Sequence, residues 1–349
     1  MVSSGGSAAG RSSMSFGLVS FGEALGDPAP VADVVAQYTD DVNRVLGYGY
    51  RRVHRAAPDV GLTDLAERAA RRALDAATLP AARVDLLVLA VTDLTEHLYW
   101  DAAADLAYRL GAAGAEAVLL TQACTTGVLS LDTVAGKFAT HPEYDTALVI
   151  AANRTCEAYW NRMETQPMVF SDGAVATVAR RGHPRLRWQV TEAATDGRYA
   201  GFYRLDGGGA AAPFAPGAEP PAARDVWHVM EFFDYDPEQF AQYARHLDER
   251  MVRVTERACE RAGVTVADLA RLILVADNER AMTSLAEAHK VPPERTNRAL
   301  AAEYGHLGAA DQLFGLSRLL DAGELHEGDR VALISLGRGT HWACTIIEV

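Results

Sequence analysis

The chain has 349 residues, of which 49% are hydrophobic, and it carries a formal net charge of −13 at pH 7. A chain of this length supports one large domain or two fused halves around a substantial core. The acidic balance argues against nucleic acid and against an anionic membrane surface as partners. The longest apolar runs are strand-sized and far too short to cross a bilayer.

The cysteine content bears on metal sites and on the compartment. The four cysteines, at positions 124, 156, 259 and 344, show no C-x-x-C pairing. The spacing therefore predicts neither a zinc site nor a disulfide framework, and it favours a reducing cytoplasm. Residues 1–13 are rich in Ser, Gly and Ala and lack the apolar core of a secretory signal. We expect them to form a disordered tail.

The first half of the chain alternates between helical and extended patterns. Residues 64–93 predict an amphipathic helix, a short loop with a proline and an apolar strand. A loop-to-helix segment around Cys124 follows, then a strand at 144–153 and a strand pair around 169–181. The Gly-, Pro- and Ala-rich stretch 205–225 indicates a loop. Helices alternating with buried apolar strands predict parallel sheets covered by helices.

The same order of patterns recurs in the second half. Residues 247–278 again predict an amphipathic helix, a loop and an apolar strand. A loop-to-helix segment at 304–323 and an apolar strand at 328–337 then match the region around Cys124 and the strand that follows it. This repeat predicts an N-terminal half, 14–185, packed against a similar C-terminal half, 186–349.

Two residues that could take part in catalysis stand at matching points of the repeat. Cys124 lies where an apolar strand meets a helix start, and a helix N-terminus lowers a thiol's pKa and makes it a nucleophile. His306 stands at the corresponding joint of the second half. A buried Cys can simply fill core, and a His can cap a helix. The matching placement nevertheless predicts that the two side chains meet in a crevice between the halves.

Three segments carry a family resemblance: TQACTTGVLSLDTVAG at 121–136, VFSDGAVATVARR at 169–181 and SLGRGTHWACTII at 335–347. On these segments the chain resembles the thiolase superfamily and, within it, the ketoacyl-ACP synthase III type of condensing enzyme. The resemblance runs over nearly the whole chain. It implies an α/β thiolase-like fold, in which two pseudo-repeated halves form a five-layer α-β-α-β-α sandwich. It also implies a homodimer.

The chain departs from the family at two catalytic positions. The family uses a Cys, a His in a His-Gln-Ala-Asn type motif and an Asn in a Gly-Asn loop. Here LILVADNERAM puts Val275 where the His should stand, and YGHLGAAD puts His306 where the Asn should stand. The His and Asn that stabilise an enolate during decarboxylation in this family are therefore not both present as a pair at these positions. Cys124 and one imidazole remain, which can accept an acyl group and deprotonate an alcohol or amine.

The predicted reaction is therefore acyl transfer to oxygen or nitrogen. The chain is similar to the ester-forming offshoot of this family in bacterial secondary metabolism. That similarity implies a sugar or polyketide acceptor and a role in polyketide or antibiotic biosynthesis. The donor would be an acyl-CoA or acyl-carrier-protein thioester, and even a malonyl unit could be passed on intact. No cofactor beyond this thioester and no metal is implied. A decarboxylative C–C condensing ketosynthase, a non-catalytic partner subunit and a hydrolase stay open as alternatives.

The catalytic roles follow from this interpretation. Cys124 is the predicted nucleophile, and His306 is the predicted base. Asp311 follows His306 in the first turns of a helix. There it can orient the imidazole as in a catalytic triad, or only complement the helix dipole. Asp277 and Asn278 are alternative orienters, because their strand end should border the same crevice.

Further residues are predicted to shape the site. The backbone N–H groups of Cys124 and Arg338 are expected to form the oxyanion hole. The Arg338 side chain either turns inward to hold a carboxylate or turns outward into solvent. Phe170, Arg338 and Asn278 are the predicted substrate-binding residues, with Phe170 lining the acyl pocket. His341, in the Gly-rich loop, is the one rival base.

Three other segments have weaker predicted roles. Asp172 is expected to serve turn chemistry. The stretch TDLTEHLYW at 92–100 follows a strand end, where open α/β sheets bind ligands, and is expected to shape the acceptor site. Arg51, Arg52 and Arg55 are candidates for meeting a pantetheine phosphate or an acyl carrier protein.

Overall fold

The computed structural model describes residues 15–214, 217 and 225–349. The tail predicted for residues 1–13 lies outside the described residues, and so does most of the second half of the predicted loop 205–225. No helix in the described part of the chain is long and apolar enough to cross a membrane.

Strands and helices alternate along the chain. The strands are β1 (Phe16–Leu25), β2 (Asp27–Pro30), β3 (Arg52–Arg55), β4 (Leu86–Val91), β5 (Glu116–Thr121), β6 (Thr146–Asn153), β7 (Gly173–Arg181), β8 (Arg187–Thr195), β9 (Leu269–Ile273), β10 (Arg330–Gly337) and β11 (His341–Glu348). The α-helices are α1 (Val31–Val34), α2 (Val42–Leu46), α3 (Leu62–Ala76), α4 (Ala102–Leu110), α5 (Thr126–Thr140), α6 (Val226–Phe232), α7 (Pro237–Ala262), α8 (Glu279–Ala288), α9 (Arg298–Tyr304) and α10 (Asp311–Asp321).

The strand order reveals the repeat in the chain. It runs β5-β4-β6-β7-β1-β8-β11-β10-β9, with β2 and β3 pairing separately. The order β4-β6-β7-β1 in the first half matches the order β9-β10-β11-β8 in the second, and β5 lies beyond β4 without a counterpart. Within the described residues, the strand register between the two groups is limited to Gly17 of β1 opposite Arg187 of β8. The molecule is therefore built as two similar sheets joined at a narrow seam.

The strands are only partly parallel. β4 pairs in parallel with β5 and β6, and β10 pairs in parallel with β9, as the alternation of helices and strands predicts. However, β7 runs antiparallel to β6 and β1, and β11 runs antiparallel to β10 and β8. The prediction of wholly parallel sheets is wrong at these strands. In each half, the last strand follows the strand before it with no helix between them and pairs with that strand in antiparallel orientation.

Five layers result, α-β-α-β-α, because each sheet has helices on both faces. Helices α5 and α10 lie between the two sheets, α3 and α4 cover the outer face of the first, and α7 and α8 cover the outer face of the second. Strand β4 shows the sequence logic. Leu86 and Val88 face the central layer, whereas Leu87 and Leu89 face the outer helices. An uninterrupted apolar strand is what burial of both faces requires.

The central helices bring the two halves into close contact. A Cβ added to Gly127 of α5 would lie 1.9 Å from the carbonyl oxygen of Ala309, in the turn just before α10. Only a glycine permits this approach of helix to backbone. The starts of α5 and α10, which carry the chemically interesting residues, therefore converge at the junction of the halves.

Candidate active site

Cys124 lies in the short connection between β5 and the start of α5. Its side chain is nearly buried, with 8% of the residue exposed. The preceding residue, Ala123, holds a left-handed φ of 51°, which is a strained conformation for a side chain other than glycine. The hydroxyl of Ser335 donates a hydrogen bond to the Cys124 carbonyl at 2.8 Å. The connection is thus fixed by its neighbours, and the thiol is aimed at the other half.

Cys124, His306 and Asp311 form one hydrogen-bonded chain. The Cys124 Sγ lies 3.1 Å from Nε2 of His306, and Nδ1 of the same ring lies 2.6 Å from Oδ2 of Asp311. The carboxylate also accepts the N–H groups of Leu307 and Ala276, each at 2.7 Å. Asp311 is held from three sides, so it can fix the orientation of the imidazole. The structure brings together the three residues predicted to be catalytic.

The backbone around His306 is fixed by neighbouring segments. The N–H of His306 donates to Val169 and its carbonyl accepts from Ser171, each at 2.8 Å, as in a short parallel bridge. Gly308 has a φ of 58°, and a Cβ there would lie 2.0 Å from the Thr92 hydroxyl oxygen. The His306 loop is therefore held by strand-like pairing on one side and by a glycine-dependent contact on the other.

Electrostatics favour a charged imidazole. Burial opposes the charge on His306, but the Asp311 carboxylate and the Cys124 sulfur outweigh it and raise the pKa of His306 well above its ordinary value. An imidazolium hydrogen-bonded to sulfur stabilises the thiolate form of a cysteine. The site therefore places a charged imidazole between the Cys124 sulfur and the Asp311 carboxylate.

A cavity of about 380 Å³ opens onto Cys124. Much of its wall is aromatic, with Tyr199, Phe202, Tyr203, Phe240 and Tyr243 on one side. Val275 also lines the cavity, at the position where the family carries a His. No histidine is among the described residues that line it, and His306 is fully buried where it contacts the thiol. The wall is suited to an acyl chain or to a largely apolar acceptor.

Arg338 turns toward the cavity and does not extend freely into solvent. Its guanidinium forms an ion pair with Asp93 and lies 4.7 Å from the centre of the Trp160 ring. Burial lowers the pKa of Arg338 to about 10, which leaves it a cation at neutral pH. The neighbouring Gly337 packs tightly on the backbone beside Cys124. The backbone N–H groups of Arg338 and Cys124 stay the predicted oxyanion hole.

Two predicted substrate-binding residues have other contacts. Phe170 is not among the residues lining the cavity; its ring packs edge-on against His306, with centroids 4.8 Å apart, and against Trp160. Asn278 is the N-cap of α8, accepting the N–H of Ala281 at 3.0 Å. The Phe170 ring therefore contacts His306, and the Asn278 amide completes a helix start. Their predicted substrate-binding roles stay predictions.

Asp172 does more than serve a turn. Its carboxylate is 1% exposed and forms an ion pair with Arg162, which is 2% exposed. It also accepts the N–H groups of Ala56 and Thr155 at 2.9 Å. Arg162 in turn donates to the carbonyl of Phe170 at 2.7 Å. This buried pair anchors the strand-like segment that holds the backbone of the base.

The remaining predicted segments have contacts of their own. Within the 92–100 stretch, Asp93 pairs with Arg338 on the wall of the Cys124 cavity, whereas most of the stretch lines a separate cavity of about 790 Å³. Its contribution to the acceptor site stays a prediction. The rival base His341 contacts Thr195 through Nδ1 at 2.9 Å. Arg51 and Arg52 both form ion pairs with Glu303. The contact of these arginines with a donor stays a prediction.

Sequence reasoning missed two carboxyl groups on the cavity wall. Asp248 lies on α7 and Asp277 follows β9, and both line the cavity. Burial, together with the charge of Asp248, raises the pKa of Asp277 to about 6. The sequence suggests Asp277 only as an alternative orienter of His306. Its place at the carboxyl end of a parallel strand was the available signal, whereas nothing in the helical pattern marked Asp248.

Sequence comparison relates the chain to one family. Residues 259–349 match the profile described as 3-oxoacyl-[acyl-carrier-protein (ACP)] synthase III C terminal. A β-ketoacyl-[acyl-carrier-protein] synthase III from Microcystis aeruginosa is 30% identical over 319 residues, covering 91% of both chains. The enzyme of the same name from Gloeobacter violaceus is 32% identical, covering 84% of this chain and 85% of the relative.

Solved structures share the fold over almost the whole chain. ChlB3, described as an acyltransferase, superposes with a TM-score of 0.84 at 22% identity, covering 96% of this chain and 97% of the other. The 3-oxoacyl-(acyl carrier protein) synthase III of Pseudomonas aeruginosa gives 0.77 at 26% identity, covering 96% and 98%. The priming β-ketosynthase of the R1128 polyketide pathway gives 0.79 at 21% identity, covering 96% of each.

Proposed function

Because this chain belongs to the β-ketoacyl-[acyl-carrier-protein] synthase III family and is a transferase, we propose that it moves an acyl group without decarboxylation. The acyl group passes from a CoA or carrier-protein thioester to Cys124, and from there to a hydroxyl group of a sugar or polyketide acceptor. The observation that carries the proposal is the chain of hydrogen bonds from Cys124 through His306 to Asp311. It supplies a nucleophile and a base, but no second donor of the kind that decarboxylation uses.

The first half-reaction loads the cysteine. The thiolate of Cys124 attacks the carbonyl carbon of the donor thioester, and the resulting oxyanion is stabilised by backbone N–H groups. When the tetrahedral intermediate collapses, the donor sulfur leaves and takes the proton of the His306 imidazolium. The products are an acyl-cysteine, a free donor thiol and a neutral imidazole beside the new thioester.

The second half-reaction uses the neutral imidazole as the base. Loading removes the charge of the sulfur, which is one of the causes that raise the pKa of His306. The ring then accepts the hydroxyl proton of the acceptor while the oxygen attacks the acyl carbon. Release of the ester returns Cys124 as a thiolate and His306 as an imidazolium. Asp311 compensates the ring charge in that state, so the cycle closes without a net proton.

The absence of decarboxylation follows from the wall opposite the base. Loss of carbon dioxide from a malonyl group leaves an enolate, which needs donors aimed at its oxygen. Val275, on the cavity wall, supplies none. His306, already committed to Cys124 and Asp311, is the one imidazole among the described residues at the thiol. A malonyl group would therefore keep its carboxylate.

The competing function is decarboxylative C–C condensation. The names of the sequence relatives favour it, since both are β-ketoacyl-[acyl-carrier-protein] synthases III. The two functions differ in one product that is simple to measure. A condensing enzyme releases carbon dioxide from a malonyl thioester, whereas the proposed acyltransferase does not.

Intact-protein mass spectrometry tests the proposal directly. The protein is incubated with acetyl-, malonyl- and benzoyl-CoA and with the same acyl groups on an acyl carrier protein. We expect added mass equal to the intact acyl group, and none in Cys124→Ala. Release of radiolabelled carbon dioxide from malonyl-CoA is measured in parallel. Stoichiometric release would overturn the proposal in favour of condensation, and absence of any added mass would favour a non-catalytic partner subunit.

Discharge of the acyl-enzyme separates transfer from hydrolysis. The loaded protein is freed of donor and mixed with a panel of hydroxylated natural products and their glycosides. We expect the added mass to disappear faster with an acceptor than in buffer, with an ester appearing in equal amount. Discharge at one rate in all cases would indicate a hydrolase. The homodimer implied by the resemblance and the cytoplasmic location favoured by the cysteine content also stay proposals, and light scattering in solution tests the first.

A further inference from the structure

Two carboxyl groups on the wall of the Cys124 cavity form no ion pair with any described residue. Asp248 has no hydrogen bond and no ion pair with any described residue, and burial alone raises its pKa. Asp277 accepts hydrogen bonds from the backbone and side-chain N–H groups of Asn278, at 2.6 and 2.9 Å, and pairs with no cation in the described part of the chain. Both side chains line the same cavity as the nucleophile.

The cations of the same wall are already paired. Arg338 forms an ion pair with Asp93 and stacks on Trp160. Arg204 pairs with Asp206 at 3.2 Å, and its side chain is 63% exposed. Among the described lining residues, the charge left uncompensated is therefore negative. A negative potential in a partly closed cleft attracts positively charged ligands and repels anions.

The two carboxyl groups act on the same region of space. The charge of Asp248 is one of the causes that raise the pKa of Asp277, so each senses the other across the cavity. A bound cation between them would relieve this repulsion. The aromatic wall, with Tyr199, Phe202 and Tyr243, adds ring faces to the same cavity. Carboxylates combined with aromatic faces are the setting in which proteins hold ammonium groups.

The position of Asp277 connects this charge to the reacting atoms. The N–H of the preceding residue, Ala276, donates to the catalytic carboxylate of Asp311. The alignment that puts Val275 opposite the His of the His-Gln-Ala-Asn motif puts Asp277 opposite its alanine. Because Asp277 and Cys124 line the same cavity, a group held at Asp277 shares that cavity with the acyl-cysteine.

Resting on the proposed function, we propose that the acceptor is a cation: a hydroxyl compound that carries a protonated or quaternary amine, such as an amino sugar. Its ammonium group lies against Asp248, Asp277 and the aromatic wall, while its hydroxyl reaches the acyl group on Cys124. Asp248 and Asp277 are the specificity-determining residues. The same charge makes the cavity unfavourable for an anionic acceptor.

Charged thiol reagents test the cavity without requiring any acyl transfer. Cys124 is treated with a cationic methanethiosulfonate, 2-(trimethylammonium)ethyl, and with its anionic sulfonatoethyl counterpart. The rate at Cys124 is followed by peptide mass spectrometry, because Cys156 is also partly exposed. We expect the cation to react about tenfold faster than the anion at pH 7.5. Asp277→Asn and Asp248→Asn should each lower this ratio about threefold.

Glu249→Gln is the matched control. It removes one negative charge from the residue next to Asp248, but its side chain points into solvent. We expect its ratio to equal that of the wild type. If the aspartate variants also leave the ratio unchanged, or if the anion reacts faster in the wild type, the proposal is overturned. An effect shared equally by Glu249→Gln would assign the preference to the net charge of the protein and would overturn it as well.

A pair of isosteric alcohols then tests the acceptor itself. Choline and 3,3-dimethylbutan-1-ol have the same shape and one hydroxyl each, and they differ in charge. We expect choline to discharge acetyl-Cys124 at least tenfold faster, and this advantage to shrink in Asp277→Asn. Equal rates in the wild type would overturn the cationic acceptor. If neither alcohol discharges the acyl-enzyme faster than buffer, the proposed transfer to oxygen fails, and the reagent ratio still decides the charge preference of the cavity.

Discussion

Matching strand ends of the two halves are used in different ways. After β4, Thr92 accepts the N–H of Ala309 at 2.8 Å, and Asp93 forms an ion pair with Arg338. After β9, the corresponding stretch places Val275 on the cavity wall, and Asp277 pairs with no cation in the described part of the chain. The first strand end therefore contacts the loops of His306 and Arg338. In the proposed function, the second strand end is the one that faces the acceptor.

The helices that follow show the same division. The segment before α5 presents Cys124 to the cavity, with 8% of the residue exposed. The start of α10 instead buries His306 and Asp311, whose side chains are 0% and 1% exposed. The nucleophile must reach the substrate, whereas the acid–base pair works best when it is fixed and dry. Substitutions in these two segments should therefore give effects of different size and kind.

The largest expected effect comes from removing the base. His306→Ala should still become acylated slowly, but discharge of acetyl-Cys124 to an acceptor should fall about 10³-fold, because general base catalysis is lost. Rapid-quench mass spectrometry of the loaded protein measures this rate. His341→Ala is the control, because that ring contacts Thr195 and not the thiol. Normal discharge in His306→Ala would show that the base is misassigned.

Asp311→Asn should lower the discharge rate about 10²-fold with little change in shape. An amide in place of the carboxylate can donate to Nδ1 of His306, which leaves the proton on Nε2, where the base must accept one. Removing the negative charge should also lower the pKa of the ring, since Asp311 is the main cause that raises it. The acid limb of the pH–rate profile should therefore move to lower pH. An unmoved limb would favour the helix-dipole role.

The junction between the halves can be tested through stability. Gly127→Ala should destabilise the fold by about 1–3 kcal/mol, because the added methyl group meets the Ala309 carbonyl in a packed interior. Gly136→Ala, in the same helix, has nothing within 4 Å of its new Cβ. It should be neutral or stabilise by about 0.5–1 kcal/mol. Urea denaturation of the two variants gives the comparison, and equal stabilities would contradict a tight junction.

Donor choice should show a smaller effect. A malonyl group brings a carboxylate into a cavity that already holds Asp248 and Asp277, and Arg338 is already paired. We expect malonyl-CoA to load Cys124 about tenfold more slowly than acetyl-CoA. The gap should narrow in the double variant Asp248→Asn/Asp277→Asn. Faster loading by malonyl-CoA would indicate that Arg338 exchanges Asp93 for the donor carboxylate.

Most of the fold could be predicted because its signals are local. The run LLVLAV of β4 and the helical spacing after Cys124 both report burial, and their recurrence in the second half reports the repeat. The return strands β7 and β11 were misjudged because strand direction is set by connections and not by composition. Cys124 and His306 could be paired because each stands at the same joint of a repeated unit.

Contacts that depend on the far side of the molecule could not be predicted. The ring of Phe170 contacts His306 and the amide of Asn278 caps α8, and neither contact is visible in the sequence. Their places at the substrate stay predictions. Each residue type suits both roles, and only the packing partner decides. Asp248 lies on a helix whose pattern carries no sign of the cavity it lines. An unpaired charge is visible only after its surroundings are known.

The smallest expected effect is on the free energy of unfolding, which the ionised Asp277 after β9 should lower. Asp277 has a pKa of about 6 in the fold, against 3.8 for an ordinary Asp, because of burial and the charge of Asp248, with His306 acting in the opposite sense. The buried Asp311 and Tyr50, whose hydroxyl donates to the Ala276 carbonyl, also face it. A carboxyl group whose pKa is higher in the folded than in the unfolded protein stabilises the fold at pH values below its unfolded pKa. That contribution is lost as pH rises through 6.

Asp277→Asn should therefore be about as stable as the wild type at pH 4, and more stable by about 1 kcal/mol at pH 7.5. Asp93→Asn should behave in the opposite way, since it leaves Arg338 without its partner and lowers stability at pH 7.5. Urea denaturation at the two pH values measures both variants. If the two variants change the free energy of unfolding in opposite directions at pH 7.5, the Asp93 carboxylate stabilises the fold and the Asp277 carboxylate destabilises it. If Asp277→Asn were the less stable at pH 7.5, this carboxylate would have a structural role, and its assignment to substrate recognition would lose its main physical support.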